Sequence, residues 1–159
     1  MLVVFDLDFT LWDAGGTWCD HTTPPYRRQN GHILDGEGRM ISLYPEVRSI
    51  LDHLNQKRIP MALASRTHSP LIASRLLDLL SIGTYFKYLQ IYPGSKVRHF
   101  GYLHRDSGIQ YESMYFFDDE HRNITEVEPL GVQTRLVKNG LNWKEIHEFQ
   151  DLRHRLSLQ

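Results

Sequence analysis

Residues 2–10 have the sequence LVVFDLDFT, in which a short apolar run rich in β-branched residues leads into two aspartates separated by one residue. The apolar run predicts a buried strand. A carboxylate is costly to bury without a partner, so Asp6 and Asp8 need neighbours that offset their charge. Because residues i and i+2 of an extended chain point to the same side, both carboxylates can face one point beyond the strand, where Thr10 lies near enough to orient them.

Strand-length and helical patterns alternate along most of the remaining chain. Strands are predicted at 60–65, 87–92, 113–117 and 131–137. Helices are predicted at 45–57, after Ser69-Pro70, from Lys96 to about Arg105, at 121–128, and as one terminal helix along the stripe Trp143, Ile146, Phe149, Leu152 and Leu156. This alternation predicts a doubly wound α/β fold with a largely parallel sheet, in which ligands bind beyond the carboxyl ends of the strands.

One stretch, at about 13–44, departs from that alternation. Two short runs flank Asp35-Gly36-Glu37-Gly38 within it and predict a β-hairpin. We interpret the stretch as a loop and flap that overhangs the end of the first strand, in a single domain of residues 1–159.

The composition is that of an ordinary globular protein and points to no charged partner. The chain is 41% apolar, and its 18 basic residues are matched by 19 acidic ones, so no attraction to nucleic acid or to an anionic membrane is expected. Cys19 is the only cysteine, which excludes an intramolecular disulfide and predicts a reducing, cytoplasmic location. Asp6 interrupts the N-terminal apolar run, which is too short for a signal peptide or a membrane span.

Polar residues close the other predicted strands as well. Ser65 and Arg66 follow the second strand, Lys96 follows a Pro-Gly turn after the third, and Asp118 and Asp119 end the fourth. Carboxylates in this number, without cysteine or a histidine pair, suit Mg²⁺. The hydroxyl and the two cations suit the oxygens of a phosphoryl group. The pattern therefore indicates phosphoryl chemistry in which one aspartate attacks phosphorus to give an aspartyl-phosphate and another moves the proton.

Four motifs carry a family resemblance over residues 2 to about 137. FDLDFT at 5–10, the serine of LAS at 63–65, Lys96 and FFDDE at 116–120 resemble, in order, the four motifs of haloacid dehalogenase superfamily phosphatases. The segments FDLDFTLW, LASRT and FFDDEHRNI, together with a short flap and no large cap, resemble the magnesium-dependent phosphatase family within that superfamily.

The resemblance implies roles for most of the strand-end residues. Asp6 would be the nucleophile and Asp8 the general acid and base, with the Asp8 backbone carbonyl joining the Asp6 carboxylate on Mg²⁺. Ser65 and Lys96 would hold the phosphoryl group, with help from Arg66.

The resemblance assigns the roles of the two aspartates in the fourth motif less clearly. The resemblance favours Asp119 as the direct Mg²⁺ ligand, with Asp118 bonded to Lys96 or to a metal-bound water, and it leaves the opposite assignment open. Asn123, four residues past Asp119, would share a helix face with it and could reach the metal's water shell.

The resemblance also implies phosphorylated substrates, either protein phosphotyrosine or a sugar phosphate such as fructosamine 6-phosphate. Two alternative hypotheses belong to other functional classes: a phospho-aspartate signalling module and a non-catalytic binding protein on the same fold. Signalling receivers place the acidic pair first and the phosphorylated aspartate later, whereas here the Asp6-Leu7-Asp8 motif comes first. A nucleic-acid 3′-phosphatase would need an extended basic and aromatic track, which the sequence lacks.

Overall fold

The computed structural model describes residues 1–157, which contain nine strands and six α-helices. The strands are β1 (Leu2–Phe5), β2 (Trp12–Asp13), β3 (Arg27–Gln29), β4 (His32–Leu34), β5 (Met40–Leu43), β6 (Met61–Ser65), β7 (Phe86–Ile91), β8 (Met114–Asp118) and β9 (Gln133–Leu136). The helices are α1 (Val47–Gln56), α2 (Pro70–Leu79), α3 (Lys96–Ser107), α4 (His121–Val127), α5 (Trp143–His147) and α6 (Gln150–Arg155). No helix in this part of the chain is long and apolar enough to cross a membrane.

Five of the strands form a central parallel sheet in the order β7-β6-β1-β8-β9. β1 lies in the middle, and the chain moves outward from it in both directions, so the strand order reverses next to β1. The predicted doubly wound α/β fold is confirmed, and the end of β1 lies where such folds bind ligands.

The alternation of side chains along β1 explains why helices cover both faces of this sheet. Val3 and Phe5 belong to one apolar cluster, which includes residues of α1, α2, α5 and α6. Leu2 and Val4 belong to a second cluster, built with residues of α3 and α4. All four side chains are fully buried, as expected for a central parallel strand.

The stretch before α1 forms a separate antiparallel sheet in the order β2-β5-β4-β3. β4 and β5 are the predicted hairpin. Its turn is held by the buried Asp35, whose carboxylate accepts hydrogen bonds from the backbone N–H groups of Thr23, Glu37 and Arg39 and from the Arg39 guanidinium.

The prediction of one terminal helix is wrong, because the chain forms α5 and α6 with a break at Phe149. Phe149 has extended dihedrals, with φ −91° and ψ 104°. Its ring packs edge to face on Tyr115 and Phe117 of β8, at centroid distances of 5.1 and 5.5 Å. We attribute the break to this aromatic packing against the sheet.

Candidate active site

A cleft of about 530 Å³ opens at the carboxyl ends of β1, β6 and β8. Five of the residues predicted from the strand ends line it: Asp6, Asp8, Ser65, Arg66 and Asp119. The side chains of Lys96 and Asp118 are fully buried and are bonded to one another. The structure thus brings all seven residues to one edge of the sheet.

Lys96 connects the nucleophile candidate to the fourth motif. It is the first residue of α3, whose N-terminus is capped by the Ser95 hydroxyl, an acceptor for the Val97 N–H at 3.1 Å. The Lys96 ammonium donates to Asp6 Oδ1 at 2.8 Å, to Asp118 Oδ2 at 3.0 Å and to the Ala64 carbonyl. An ammonium has three N–H donors, so each has an acceptor.

Lys96 does not fully offset the negative charge around it. Burial raises the pKa of Asp6 well above its usual value, which Lys96 lowers and the Asp118 and Asp119 carboxylates raise further. Burial and the charge of Asp118 raise the pKa of Asp119 to about 7. Burial acts to lower the pKa of Lys96, but the two carboxylates that it contacts raise it overall. A further cation beside Asp6 and Asp119 would therefore be stabilised.

Asp118 and Asp119 have different surroundings. Asp118 accepts from the Glu120 backbone N–H at 2.8 Å and from the Asn123 amide at 3.1 and 3.0 Å, in addition to Lys96. Asn123 in turn accepts from the Arg66 guanidinium at 3.1 Å, so it contacts the acidic pair through Asp118. Asp119 instead lines the cleft.

The donor set at this edge fits Mg²⁺. Asp6, Asp118 and Asp119 can each offer a carboxylate oxygen, and these oxygens lie within 4.8 Å of one another. Oxygen ligands from a few carboxylates are what Mg²⁺ takes from proteins, and it keeps water or substrate oxygens in its other positions.

Asp8 is held by the segment that follows β1. Its Oδ1 accepts from the Trp12 indole N–H at 2.7 Å and from the Cys19 backbone N–H at 2.8 Å. Burial raises the pKa of Asp8 above its usual value, although these two hydrogen bonds act to lower it. The carboxyl is thus more readily protonated than an exposed aspartate.

The β6 end supplies polar groups on the other side of the cleft. Ser65 is buried, and its hydroxyl accepts from the Thr67 backbone N–H at 3.3 Å. Arg66 is half-buried and also pairs with Glu126 at 3.6 Å. Its guanidinium is therefore partly engaged by protein groups.

Thr10 does not orient the aspartates as predicted. Its side chain is fully buried, and its hydroxyl has no hydrogen-bond partner among residues 1–157. The chain bends sharply after Asp8, with the Leu11 N–H bonded to the Leu7 carbonyl at 2.8 Å, so the extended geometry behind the prediction ends before Thr10.

Sequence reasoning missed the residues that form the rim of the cleft. Trp18, Asp20 and His21 line it from a 3₁₀ turn and the residue before it, and Arg122 and His68 line it from the other strand ends. The loop containing the first three has no periodic pattern, and only their place between β1 and β6, the first two strands predicted from the sequence, could have suggested them.

Comparison with known proteins identifies a matching family. Residues 1–153 match the family model described as acid phosphatase.

The chain belongs to the acid phosphatase family.

Its similarity to human magnesium-dependent phosphatase 1 is 42% identity over 149 residues, covering 92% of this chain and 83% of that protein. A haloacid dehalogenase-like hydrolase superfamily protein of Schizosaccharomyces pombe is 39% identical, with 88% of each chain covered. The predicted kinship with haloacid dehalogenase superfamily phosphatases is confirmed, and so is the predicted class of enzyme.

Solved structures show the same fold. A haloacid dehalogenase family enzyme of Bacteroides thetaiotaomicron, crystallised with magnesium and inorganic phosphate, superposes on this acid phosphatase family chain with a TM-score of 0.66. The two are 15% identical, and the match covers 93% of this chain and 98% of that one.

Proposed function

We propose that this chain is a Mg²⁺-dependent phosphomonoesterase in which Asp6 is the nucleophile and Asp8 the general acid and base. The observation that carries the proposal is the placement of Asp6, Asp8, Lys96 and the Asp118-Asp119 pair at one edge of the sheet. A relative named as magnesium-dependent, 42% identical over most of the chain, supports the choice of ion.

Mg²⁺ would be held by the carboxylates of Asp6 and Asp119 and by the backbone carbonyl of Asp8. The hydrogen bonds of Asp118 to Lys96, Asn123 and the backbone support a place for it beside the ion rather than on it. When bound, the ion supplies positive charge that reduces the repulsion between a carboxylate and a phosphate dianion.

The protein groups would divide the reaction into two steps. In the first, an oxygen of Asp6 bonds to phosphorus, the ester P–O bond breaks, and Asp8 gives its proton to the leaving oxygen. In the second, a water oxygen bonds to the phosphorus of the aspartyl-phosphate while Asp8 takes a proton from that water. The bond between phosphorus and the Asp6 oxygen breaks, which releases inorganic phosphate and restores the Asp6 carboxylate. The raised pKa of Asp8 supports its part as the initial proton donor.

Three groups would hold the phosphoryl oxygens. The Ser65 hydroxyl and the Lys96 ammonium lie at the ends of β6 and α3, next to Asp6, and Arg66 follows Ser65 on the rim. Arg66 is also bonded to Asn123 and Glu126, so only part of its guanidinium would contact the phosphoryl oxygens.

Phosphate release from a panel of small esters tests the proposal. Wild type should turn over in Mg²⁺, lose activity in EDTA and regain it when Mg²⁺ is restored. Asp6→Asn should abolish turnover while the fold is retained, and Asp106→Asn, at an exposed position on α3, is the matched control.

Two results would contradict it. Turnover by a pure Asp6→Asn sample would exclude Asp6 as the nucleophile. A wild type that turns over none of the esters would favour a binding protein, or a signalling module if acetyl phosphate leaves a long-lived phosphate on Asp6.

An aromatic rim supports aryl phosphates, such as protein phosphotyrosine, as substrates. Trp18 is about half exposed, at 49%, and makes edge-to-face contacts with Phe9 and His21 at centroid distances of 6.1 and 5.5 Å. All three residues line the cleft, where a planar leaving group could pack on them.

A carboxylate on the same rim supports the second substrate class. Oδ1 of Asp20 is buried and has no hydrogen-bond partner among the described residues. Asp20 lines the cleft and could pair with the amino group of fructosamine 6-phosphate.

Two rim variants distinguish the substrate classes. Trp18→Ala should lower kcat/KM for a phosphotyrosine peptide more than for fructosamine 6-phosphate, and Asp20→Asn should do the reverse. If Trp18→Ala has no selective effect on the phosphotyrosine peptide, the rim no longer supports aryl phosphates as substrates. If Asp20→Asn has none on fructosamine 6-phosphate, the rim no longer supports that sugar phosphate.

The cytoplasmic location stays a prediction that rests on Cys19 being the only cysteine. Immunofluorescence of the tagged chain, or fractionation of cells that express it, would test it.

A further inference from the structure

We propose that Trp12 is a positioning residue for proton transfer, because its indole N–H and the backbone N–H of Cys19 fix which oxygen of Asp8 faces the leaving group. The role of Trp12 rests on the proposed function of Asp8 as proton donor. It adds to the site a residue whose side chain lies beneath the cleft rather than in it.

The geometry at Asp8 is asymmetric. Both donors bind the same oxygen, Oδ1, at 2.7 Å from the Trp12 nitrogen and 2.8 Å from the Cys19 nitrogen. No hydrogen bond to Oδ2 is found among residues 1–157, and Asp8 lines the cleft. A protonated carboxyl has one O–H donor and one oxygen that only accepts. With two N–H groups pointing at Oδ1, that oxygen is the acceptor and the proton lies on Oδ2.

The fold holds Trp12 rigidly in this position. Its side chain is fully buried, and its backbone pairs with Leu43 in the antiparallel sheet. The turn after β1 is closed by hydrogen bonds from the Phe9 N–H to the Trp12 carbonyl at 2.8 Å and from the Trp12 N–H to the Leu7 carbonyl at 3.3 Å. These bonds hold the backbone of Trp12 in place, so its indole N–H reaches Asp8 from a fixed position.

The hydrogen bonds matter because an aspartate carboxyl is otherwise poorly oriented. Rotation about the bond between Cβ and the carboxyl carbon has a broad, shallow preference. Two donors on one oxygen restrict that rotation, so the O–H of Oδ2 keeps one direction. Proton transfer depends on this direction, since donor and acceptor must lie within hydrogen-bond reach.

Esters differ in how strongly their cleavage depends on the proton that Asp8 donates. When the ester P–O bond breaks, its electron pair goes to the leaving oxygen, which takes the proton from Oδ2 while Asp6 bonds to phosphorus. An alkoxide is too basic to leave without that proton, whereas 4-nitrophenolate leaves readily without it. Loss of the Trp12 hydrogen bond should therefore affect alkyl phosphates most.

The experiment compares kcat/KM of wild type and Trp12→Phe for 4-nitrophenyl, phenyl and ethyl phosphate. This parameter reports the steps through cleavage of the ester bond. General acid catalysis contributes on the order of 10²–10⁴-fold to the rate. If Trp12→Phe misorients the proton of Asp8, kcat/KM should fall about tenfold more with ethyl phosphate than with 4-nitrophenyl phosphate. Trp143→Phe is the matched control, because its indole N–H bonds the Ser49 hydroxyl at 3.2 Å, away from the cleft.

A second replacement guards against simple loss of packing in the core. In 3-benzothienylalanine, sulfur takes the place of the indole N–H while the bicyclic shape is kept. At position 12 it should reproduce the selective loss with ethyl phosphate without a cavity. In an Asp8→Asn background, neither change at position 12 should lower kcat/KM for ethyl phosphate selectively, because the group through which Trp12 acts is absent.

The possible results separate the role of Trp12 from the proposed function. Equal losses with all three esters, or an undiminished selective loss in the Asp8→Asn background, would overturn the positioning role alone. A wild type that hydrolyses none of the esters would overturn the proposed function and the role of Trp12 with it.

Discussion

Replacing Lys96 by methionine should destabilise the fold by about 3–5 kcal/mol at neutral pH, the usual cost of removing one partner from a buried ion pair. Lys96 makes the only ion pairs that the described residues form with Asp6 and Asp118, at 2.8 and 3.0 Å. Methionine is close to lysine in length, so the change removes the charge and leaves little cavity. Both carboxylates would remain buried without their cation.

The size of the loss should show in thermal unfolding. For a chain of 159 residues, each kcal/mol lowers Tm by roughly 2–4 °C, so a fall of about 6–20 °C is expected. Mg²⁺ should raise the Tm of the variant more than that of wild type, because the variant leaves more negative charge for a cation to offset.

The loss should also depend on pH, with a definite sign. In the folded protein, burial raises the pKa of Asp6 above its unfolded value, and Lys96 acts to lower it. Without Lys96 the folded pKa rises further. An acid with a raised folded pKa contributes its full stability below the unfolded pKa of roughly 3.9 and loses it as pH rises through the folded pKa. The variant should therefore be closer to wild type at pH 5.5 than at pH 7.5.

Urea unfolding of both proteins at the two pH values measures this directly, with Lys144→Met, at an exposed position on α5, as the control. A loss below about 1 kcal/mol at pH 7.5 would refute the view that Lys96 compensates a buried charge. So would a loss that is the same at both pH values, since the carboxylates would then be unaffected by the missing ammonium.

Three further predictions concern packing and titration away from Lys96. Gly140→Ala should cost at least about 2 kcal/mol in unfolding free energy, because Gly140 has φ +74° and an added Cβ would lie 2.1 Å from Cγ of Tyr44; an unchanged Tm would contradict this. Burial acts to raise the pKa of Asp35, but backbone N–H groups and Arg39 lower it to about 2. Wild type should therefore lose stability as pH falls from 4 towards 2, and Asp35→Asn, already destabilised at pH 7, should lose less over that range; parallel acid unfolding curves would argue against it. Burial raises the pKa of the Cys19 thiol, so iodoacetamide at pH 8 should label it only in denaturant, and rapid labelling of the folded protein, read by mass spectrometry, would show that the thiol is accessible.

The fold and the seven strand-end residues could be predicted because their signals are local. Strand and helix periods alternate in the sequence, and parallel strands place their carboxyl ends at one edge. Asp6, Ser65 and Asp118 could therefore be assigned to one site before any contact was known. Their chemical roles stay predictions, since a shared location does not by itself assign a reaction step.

The terminal helix shows where a local signal misleads. The apolar stripe through Phe149 is compatible with one helix, but the Phe149 ring packs edge to face on Tyr115 and Phe117 of β8. That packing surface is built by residues more than thirty positions earlier in the chain. A periodic pattern records which residues are apolar, and it does not record where their partners lie.

The sequence by itself determined the doubly wound sheet, the family and the edge at which carboxylates, a hydroxyl and a lysine meet. Only the tertiary structure decided how those groups are held: Lys96 between Asp6 and Asp118, and Asp8 between Trp12 and Cys19. The physical reason is the range of each effect. Periodicity and strand-end chemistry act over a few residues, whereas hydrogen-bond orientation and pKa depend on atoms that only folding brings within 3 Å.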